Sequence, residues 1–198
     1  MIREFHLADL FTLANGGCGT AALFFAMDHI REAGVGKLYA AGALVAAALV
    51  FDVMDGRVAR WRHRASPLGR ELDSLADVIS FGVAPAGLAF AAGMTGLWDA
   101  LCLVYFVACG ISRLARYNVT AEAMSAETGK VTYFEGTPIP TSVLLVALLM
   151  ALARADRIGA SIPGGVWSLA SFDLHPLALL FVLSGSLMIS KTLRIPKP

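Results

Sequence analysis

Six apolar runs, separated by charged, glycine-rich or proline-rich stretches, set the rhythm of this chain. They predict spans roughly over Leu10–Met27, from Leu38 into a charged segment at Asp52, and over Gly69–Ala92. Three more follow at Leu97–Arg116, Ile139–Ala153 and Leu174–Thr192. A membrane-crossing helix needs about 20 mostly apolar residues. The pattern predicts an all-α integral membrane protein with six transmembrane helices, forming one membrane domain over residues 1–198. Ahead of the first run, Phe5, Leu7 and Leu10 alternate with Arg3, His6 and Asp9, which suits either a short surface-lying helix or a frayed end.

Charge then orients the spans. Of the 16 lysines and arginines, twelve fall on the side that holds both termini if there are six crossings: Arg3, Arg57, Arg60, Arg62, Arg64, Arg70, Arg113, Arg116, Lys130, Lys191, Arg194 and Lys197. The other side has Arg31, Lys37, Arg154 and Arg157. Positive charge collects on the cytoplasmic side, so both termini are expected there, in a multi-pass protein of the cell membrane. Composition agrees with a membrane class: 57% of residues are hydrophobic and 16% charged, with a mean hydropathy of +0.68. A net charge of +1 gives no reason to expect nucleic acid as a partner. Cys18, Cys102 and Cys109 lie in apolar runs without metal-ligand spacing and read as small core residues. The start of the chain has no cleavable-signal pattern, and the four histidines share no spacing and read as surface or interfacial.

One segment breaks the apolar pattern. Asp52-Val-Met-Asp55-Gly56-Arg57-Val-Ala59-Arg60 is followed after eight residues by Gly69-Arg-Glu-Leu-Asp73-Ser-Leu-Ala-Asp77. Only fourteen uncharged residues, Leu38 to Phe51, precede Asp52. At 1.5 Å per residue these fall short of a hydrocarbon core of about 30 Å, so the second helix must continue through Asp52 and Asp55 inside the membrane. The third span runs the other way, with Asp73 and Asp77 preceding its uncharged stretch. The two pairs, spaced i,i+3 and i,i+4, are therefore expected at one depth on neighbouring antiparallel helices.

Four bare carboxylates at that depth would repel one another. Divalent ions remove the conflict, and an all-oxygen set suits Mg²⁺, Mn²⁺ or Ca²⁺ better than zinc. Two such ions could clamp a phosphoryl group. Asp52, Asp55, Asp73 and Asp77 are thus candidate metal ligands, and Arg60, one turn beyond, is placed to meet a phosphate. Gly56 and Gly69 interrupt helical patterns, which fits close approach of a ligand or equally of another helix. A proton or cation pathway in a small transporter is the alternative use of these aspartates, although no inverted repeat is visible.

At these residues the chain resembles the CDP-alcohol phosphotransferase family, whose signature has the form D-x-x-D-G-x-x-A-R, eight residues, G-x-x-x-D-x-x-x-D. Asp52, Asp55, Gly56, Ala59, Arg60, Gly69, Asp73 and Asp77 match every position and the gap. The resemblance implies a six-helix membrane enzyme, a homodimer, that moves a substituted phosphate from a CDP-linked donor to an alcohol and releases CMP. It implies Mg²⁺ or Mn²⁺, two per active site, held chiefly by Asp52, Asp55 and Asp73. Asp77 would be the catalytic base, touching a metal as well. Gly56, Ala59, Arg60 and Gly69 would line the CDP site, together with Thr12 and Asn15 on the polar face of the first helix.

Glu71-Leu-Asp73-Ser-Leu-Ala-Asp77-Val-Ile-Ser80-Phe-Gly82-Val-Ala-Pro85, Ser112-Arg113-Leu-Ala-Arg116-Tyr117-Asn118 and Tyr133-Phe-Glu-Gly136-Thr-Pro-Ile-Pro140 resemble the serine-using branch of that family. Glycerol-phosphate-using relatives usually carry a proline after the third aspartate and a lysine after the fourth; here these are Ser74 and Val78. The expected substrates are CDP-diacylglycerol, or an archaeal ether-lipid counterpart, and L-serine. Another acceptor, such as inositol phosphate or glycerol phosphate, is the alternative within the same chemistry. Arg113 and Arg116 could clamp a carboxylate or phosphate, or reach out to the interface. Asn118 and Tyr133 are further acceptor candidates. Val119–Pro138 is expected to be a loop long enough to act as a lid, and Pro85 to kink the third helix.

Overall fold

A computed structural model describes residues 7–32, 34–61, 67–127, 133–169, 172–192 and 194–196. Two long helices, α1 (Leu7–Glu32) and α2 (Val35–Trp61), form an antiparallel hairpin with the most extensive helix contact in the molecule. Ala22, Ala26, Ala41, Val45 and Ala48 are buried, small enough to let backbones approach closely. Helix α2 runs through Asp52 and Asp55 without interruption, as the depth arithmetic requires.

The chain returns in α3 (Pro67–Asp77), which passes directly into a π turn (Val78–Val83) and then α4 (Ala84–Ala91). Pro85 accounts for the wide turn. It lacks an N–H, and its ring crowds the carbonyl four residues back. The strand of bonds shifts instead, with the Ala84 N–H donating to the Ile79 carbonyl, five residues back. The expected kink is thus a local widening in a helical run that continues to Ala91.

Helix α5 spans Leu97–Glu127, well past the expected end at Arg116. Its extra turns, Val119 to Glu127, are rich in alanine, glutamate and methionine, which favour helix once clear of the membrane. The expected 119–138 loop is correspondingly shorter. Strand β1 (Tyr133–Glu135) and Gly136 lead back into a 3₁₀ turn (Ile139–Ser142) and α6 (Val143–Arg154). Gly136 has φ +74°, and a Cβ there would run into the Met188 carbonyl, so only glycine fits this return. The antiparallel strands β2 (Trp167–Leu169) and β3 (Phe172–Leu174) form a small hairpin before α7 (Ala178–Ile189). The last strand, β4 (Arg194–Pro196), pairs with β1, Tyr133 opposite Pro196.

Four helical runs are long and apolar enough to cross a membrane: Ala8–Glu32, Val35–Val58, Leu68–Ala91 and Leu97–Thr120. The other two expected spans are shorter apolar helices, Ile139–Arg154 and Ala178–Ile189. The last is trimmed at its start, because Leu174 belongs to β3 and Pro176 precedes the helix. Phe24, Val104, Leu144 and Leu183 project outward and are exposed, the surface a helical bundle offers to hydrocarbon. The protein is a largely helical, membrane-embedded bundle.

Inside, Phe81, Phe106 and Phe181 are buried, with Phe106 and Phe181 packed edge to face at 5.3 Å. Cys18, Cys102 and Cys109 are free thiols, consistent with their reading as core residues. Two histidines depart from their surface assignment. His29 is buried near the end of α1, its Nδ1 3.0 Å from the Gly34 carbonyl. His175 is buried beside Asp99 at the start of α5, because the β2–β3 hairpin folds its end down over that helix. His6 and His63 lie outside the described residues.

Candidate active site

Three helices build the site. Helix α2 presents Asp52 and Asp55, and α3 presents Asp73 and Asp77 on facing turns. Carboxylate oxygens of Asp52, Asp55 and Asp73 all lie within 4.8 Å of one another. Such a trio is costly for a protein to hold unaided. Asp73 Oδ1 is buried without a hydrogen-bond partner among the described residues, as a carboxylate awaiting a cation would be. The residues therefore fit a divalent ion with oxygen ligands.

Helix α1 closes the third side with a polar stripe. Thr12 donates its hydroxyl to Asp55 Oδ2 at 2.9 Å. Asn15 Nδ2 donates to Asp77 Oδ1 at 3.1 Å. Asp9, one turn before Thr12, is buried and close enough to Asp55 to interact with it electrostatically. Thr12 and Asn15, expected along a nucleotide, are thus each tied to an aspartate, one on each half of the signature. The spacing of Asp9, Thr12 and Asn15 at i, i+3 and i+6 carries this stripe, and it extends the polar face read from Thr12 and Asn15 alone.

Asp77 stands outside the trio, beside it. It is buried, bonded to Asn15, and feels the charges of Asp52, Asp73 and Asp55. The other charge on it comes from α5. Arg113 is buried, interacts electrostatically with Asp77, and has its guanidinium 5.5 Å from the ring centre of Tyr117. Its Nε has no hydrogen-bond partner among the described residues. Arg116, close enough to Arg113 to interact with it electrostatically, likewise keeps a buried Nη2 without a hydrogen-bond partner among the described residues, and it also reaches α7. Its Nη1 donates to the carbonyl of Ile189 at 3.2 Å, at the end of α7, where a cation suits the helix terminus. It joins α5 to α7 and does not reach out to the interface.

Asn118 lies against α3. Its Nδ2 donates to Ser74 Oγ at 3.0 Å and sits 3.5 Å from each carboxylate oxygen of Glu71. Ser74 and Glu71 therefore join the wall between α3 and α5, where neither was expected. Gly56 lends its N–H to the Asp55 carboxylate, and a Cβ on Gly56 would meet nothing within 4 Å among the described residues. Gly69 lies one turn before Asp73 on α3. The side chains of Ala59, Arg60 and Tyr133 lie outside the described residues, although their backbones belong to α2 and β1.

Chemically, the arrangement offers a cluster of carboxylate oxygens, a buried carboxylate with an amide partner, and a buried guanidinium that interacts with it electrostatically. Such a set of groups suits phosphoryl transfer to a hydroxyl. The family model for CDP-alcohol phosphatidyltransferases matches residues 5–186, and the chain belongs to that family.

Particular relatives sharpen this. A CDP-diacylglycerol–serine O-phosphatidyltransferase of Saccharomyces cerevisiae is 42% identical over 201 residues, covering all of this chain and 73% of the relative. One from Mycobacterium bovis is 34% identical over 166 residues, 83% of this chain and 54% of that protein. An archaetidylserine synthase of Methanothermobacter thermautotrophicus is 37% identical over 144 residues, 71% of this chain and 56% of that protein. The chain thus spans little more than half the length of the latter two.

Proposed function

We propose that the protein transfers the phosphatidyl group of a CDP-linked lipid to the hydroxyl of L-serine, giving a phosphatidylserine-type lipid and CMP. Membership of the family and the serine-transferring names of its relatives support the reaction class and acceptor. The observation that carries the mechanism is the Asp52–Asp55–Asp73 trio beside a buried Asp77 that interacts electrostatically with Arg113.

In this reading Asp52, Asp55 and Asp73 hold Mg²⁺ or Mn²⁺, with Asp77 at the edge of the cage. When bound, the ions neutralise the diphosphate and stabilise CMP as it leaves. The open side of Gly56 lets the nucleotide part of the donor approach α2, with Ala59, Arg60 and Gly69 along the same wall. Arg113 holds the serine carboxylate through its fork of donors. Asp77 accepts the proton of the serine hydroxyl. The serine oxygen then bonds to the lipid-linked phosphorus as the bond from that phosphorus to the CMP oxygen breaks, and no covalent enzyme intermediate is needed. Asn118 and Ser74 shape the acceptor entrance; a proline at position 74 has no hydroxyl for that contact, which favours serine over glycerol phosphate. The bias of lysine and arginine supports a cytoplasmic opening, with lipid tails left in the bilayer.

The test is CMP release by purified protein given CDP-diacylglycerol, with and without Mg²⁺ or Mn²⁺, and a panel of alcohols. Release with serine and a divalent ion is expected. No release with any acceptor would remove the enzyme reading. Release with inositol phosphate or glycerol phosphate but not with serine would remove the acceptor assignment.

A further inference from the structure

A base must point its free oxygen at the acceptor, and the direction of the Asp77 carboxylate is set from α1. Asn15 is fully buried, and its Nδ2 holds Asp77 Oδ1 at 3.1 Å. Its own Oδ1 has no hydrogen-bond partner among the described residues. The direction of the amide therefore rests on two things: the bond to Asp77 and the position of the backbone that carries it.

That backbone is held by Ser80. The side chain is fully buried in the π turn, three residues after Asp77, and its hydroxyl donates to the main-chain carbonyl of Asn15 at 2.8 Å. One residue of α1 is thus gripped at two points by the element that bears the base, at its amide by Asp77 and at its carbonyl by Ser80. The helical ladder assigns the same carbonyl to the N–H of residue 19. Residue 19 is glycine, and a Cβ there would lie 2.6 Å from Ser80 Cα and 2.9 Å from Ser80 N. Contacts that short would force α1 off the π turn and part Ser80 from Asn15. At Gly16, by contrast, an added Cβ would meet Ala76 at 3.4 Å, the edge of ordinary contact. The close approach is concentrated where the hydroxyl reaches across.

We propose that Ser80 is a positioning residue for the transfer, and that Gly19 makes room for it. By fixing the Asn15 backbone, Ser80 fixes the amide, and through the amide it holds one oxygen of Asp77 and leaves the other for the acceptor hydroxyl. Ser80 itself touches neither substrate. The inference rests on Asp77 being the base, and the experiment separates the two.

CMP release, donor binding and thermal unfolding are measured for Asp77→Asn, Ser80→Ala, Asn15→Ala and the Ser80→Ala/Asn15→Ala double variant. Ser186→Ala, whose hydroxyl donates to the Val182 carbonyl within α7 and lies 3.1 Å from the Tyr105 hydroxyl of α5, serves as a control with unchanged turnover. Misplacing a catalytic group by a fraction of an ångström to one ångström costs up to about a hundredfold. Ser80→Ala is expected to lower kcat about ten- to a hundredfold, with the serine KM and donor Kd within about twofold of the parent. The double variant is expected to fall no further than Asn15→Ala alone, because residues acting in one chain are not additive. Ser80→Cys keeps the volume and only a weak donor. It tests the same point if the alanine variant does not fold, with an expected loss of about five- to tenfold. The proposal is overturned by turnover of the folded Ser80 variant within about twofold of the parent, by losses that multiply in the double variant, or by donor binding that weakens as much as turnover. Near-normal turnover in Asp77→Asn would instead remove the base itself.

Discussion

Two buried carboxylate sites lie at opposite ends of the hairpin formed by the α3–α4 run and α5, and they are built on opposite principles. Asp99, fully buried at the start of α5, has its needs met by the protein. Its Oδ1 accepts the His175 N–H at 2.7 Å, and its Oδ2 lies 2.6 Å from His175 Nδ1 and accepts the Gly96 N–H at 3.1 Å. The bond back to Gly96, just before the helix, satisfies one of the orphan donors of its first turn. At the other end, Asp73 keeps a buried oxygen without a hydrogen-bond partner among the described residues and lies close to two more carboxylates. The same residue type closes a structure in one place and leaves a demand open in the other. An open demand in a membrane-embedded site is a mark of function.

Substitutions can break this contrast at either end. The largest effect is expected from Asp77→Asn, which keeps the shape but loses the proton acceptor. CMP release should fall by about three orders of magnitude, a usual upper scale for general-base loss, while CDP-lipid binding persists. Near-normal turnover would move the base elsewhere. Next comes Arg113→Ala, which removes the buried guanidinium. The serine KM should rise at least about tenfold, in line with a lost charge-assisted bond, with donor affinity little changed; a rise in donor KM alone would assign Arg113 to the phosphate instead.

At the closed end, Asp99→Ala leaves His175 buried without its partner. Leaving buried donors without their acceptor costs about 1–3 kcal/mol, so the thermal midpoint in detergent should drop by several degrees. Turnover of the folded fraction should stay within about twofold, and a specific loss of turnover would show that the two ends communicate. The smallest effect is expected from Gly56→Ala. Alanine is about 1 kcal/mol better than glycine within a helix, and none of the described residues lies within 4 Å of where its Cβ would go. Stability should hold or rise slightly while the donor KM increases severalfold. An unchanged donor KM would mean that the open space beside α2 is not part of the donor path.

Much of the open end was legible in the chain, and little of the closed end. Aspartates in a helix too apolar to carry them announce themselves, and the short run before Asp52 already required the second helix to continue through them, as α2 does. Their association across α2 and α3 followed from antiparallel order. The Asp99–His175 pair joins residues 76 positions apart, and nothing in the local pattern of either residue points to the other. Asn118 was visible as a candidate, but its contact with Ser74 depends on α5 continuing as helix past Arg116, beyond the apolar run that defined the span. Arg116 looked equivalent to Arg113 by spacing. The two separate because the end of α7 comes within reach of one and Asp77 lies near the other. Ser80 gave no signal of its own, since a hydroxyl in an apolar helix usually bonds back along that helix.

The polar stripe of α1 has a further consequence for the order in which the molecule comes together. Thr12 reaches Asp55 over 43 residues and Asn15 reaches Asp77 over 62, so both of these hydrogen bonds lie within α1 to α3. A chain made from its N-terminus folds its early segments first. The acidic cage is therefore complete in sequence before Arg113 has been synthesised. Until α5 arrives, the nascent α1–α3 unit holds its four aspartates without the Arg113 guanidinium, and the arginines of its own segment, Arg57 and Arg70 among them, are the positive charges the chain has by then supplied.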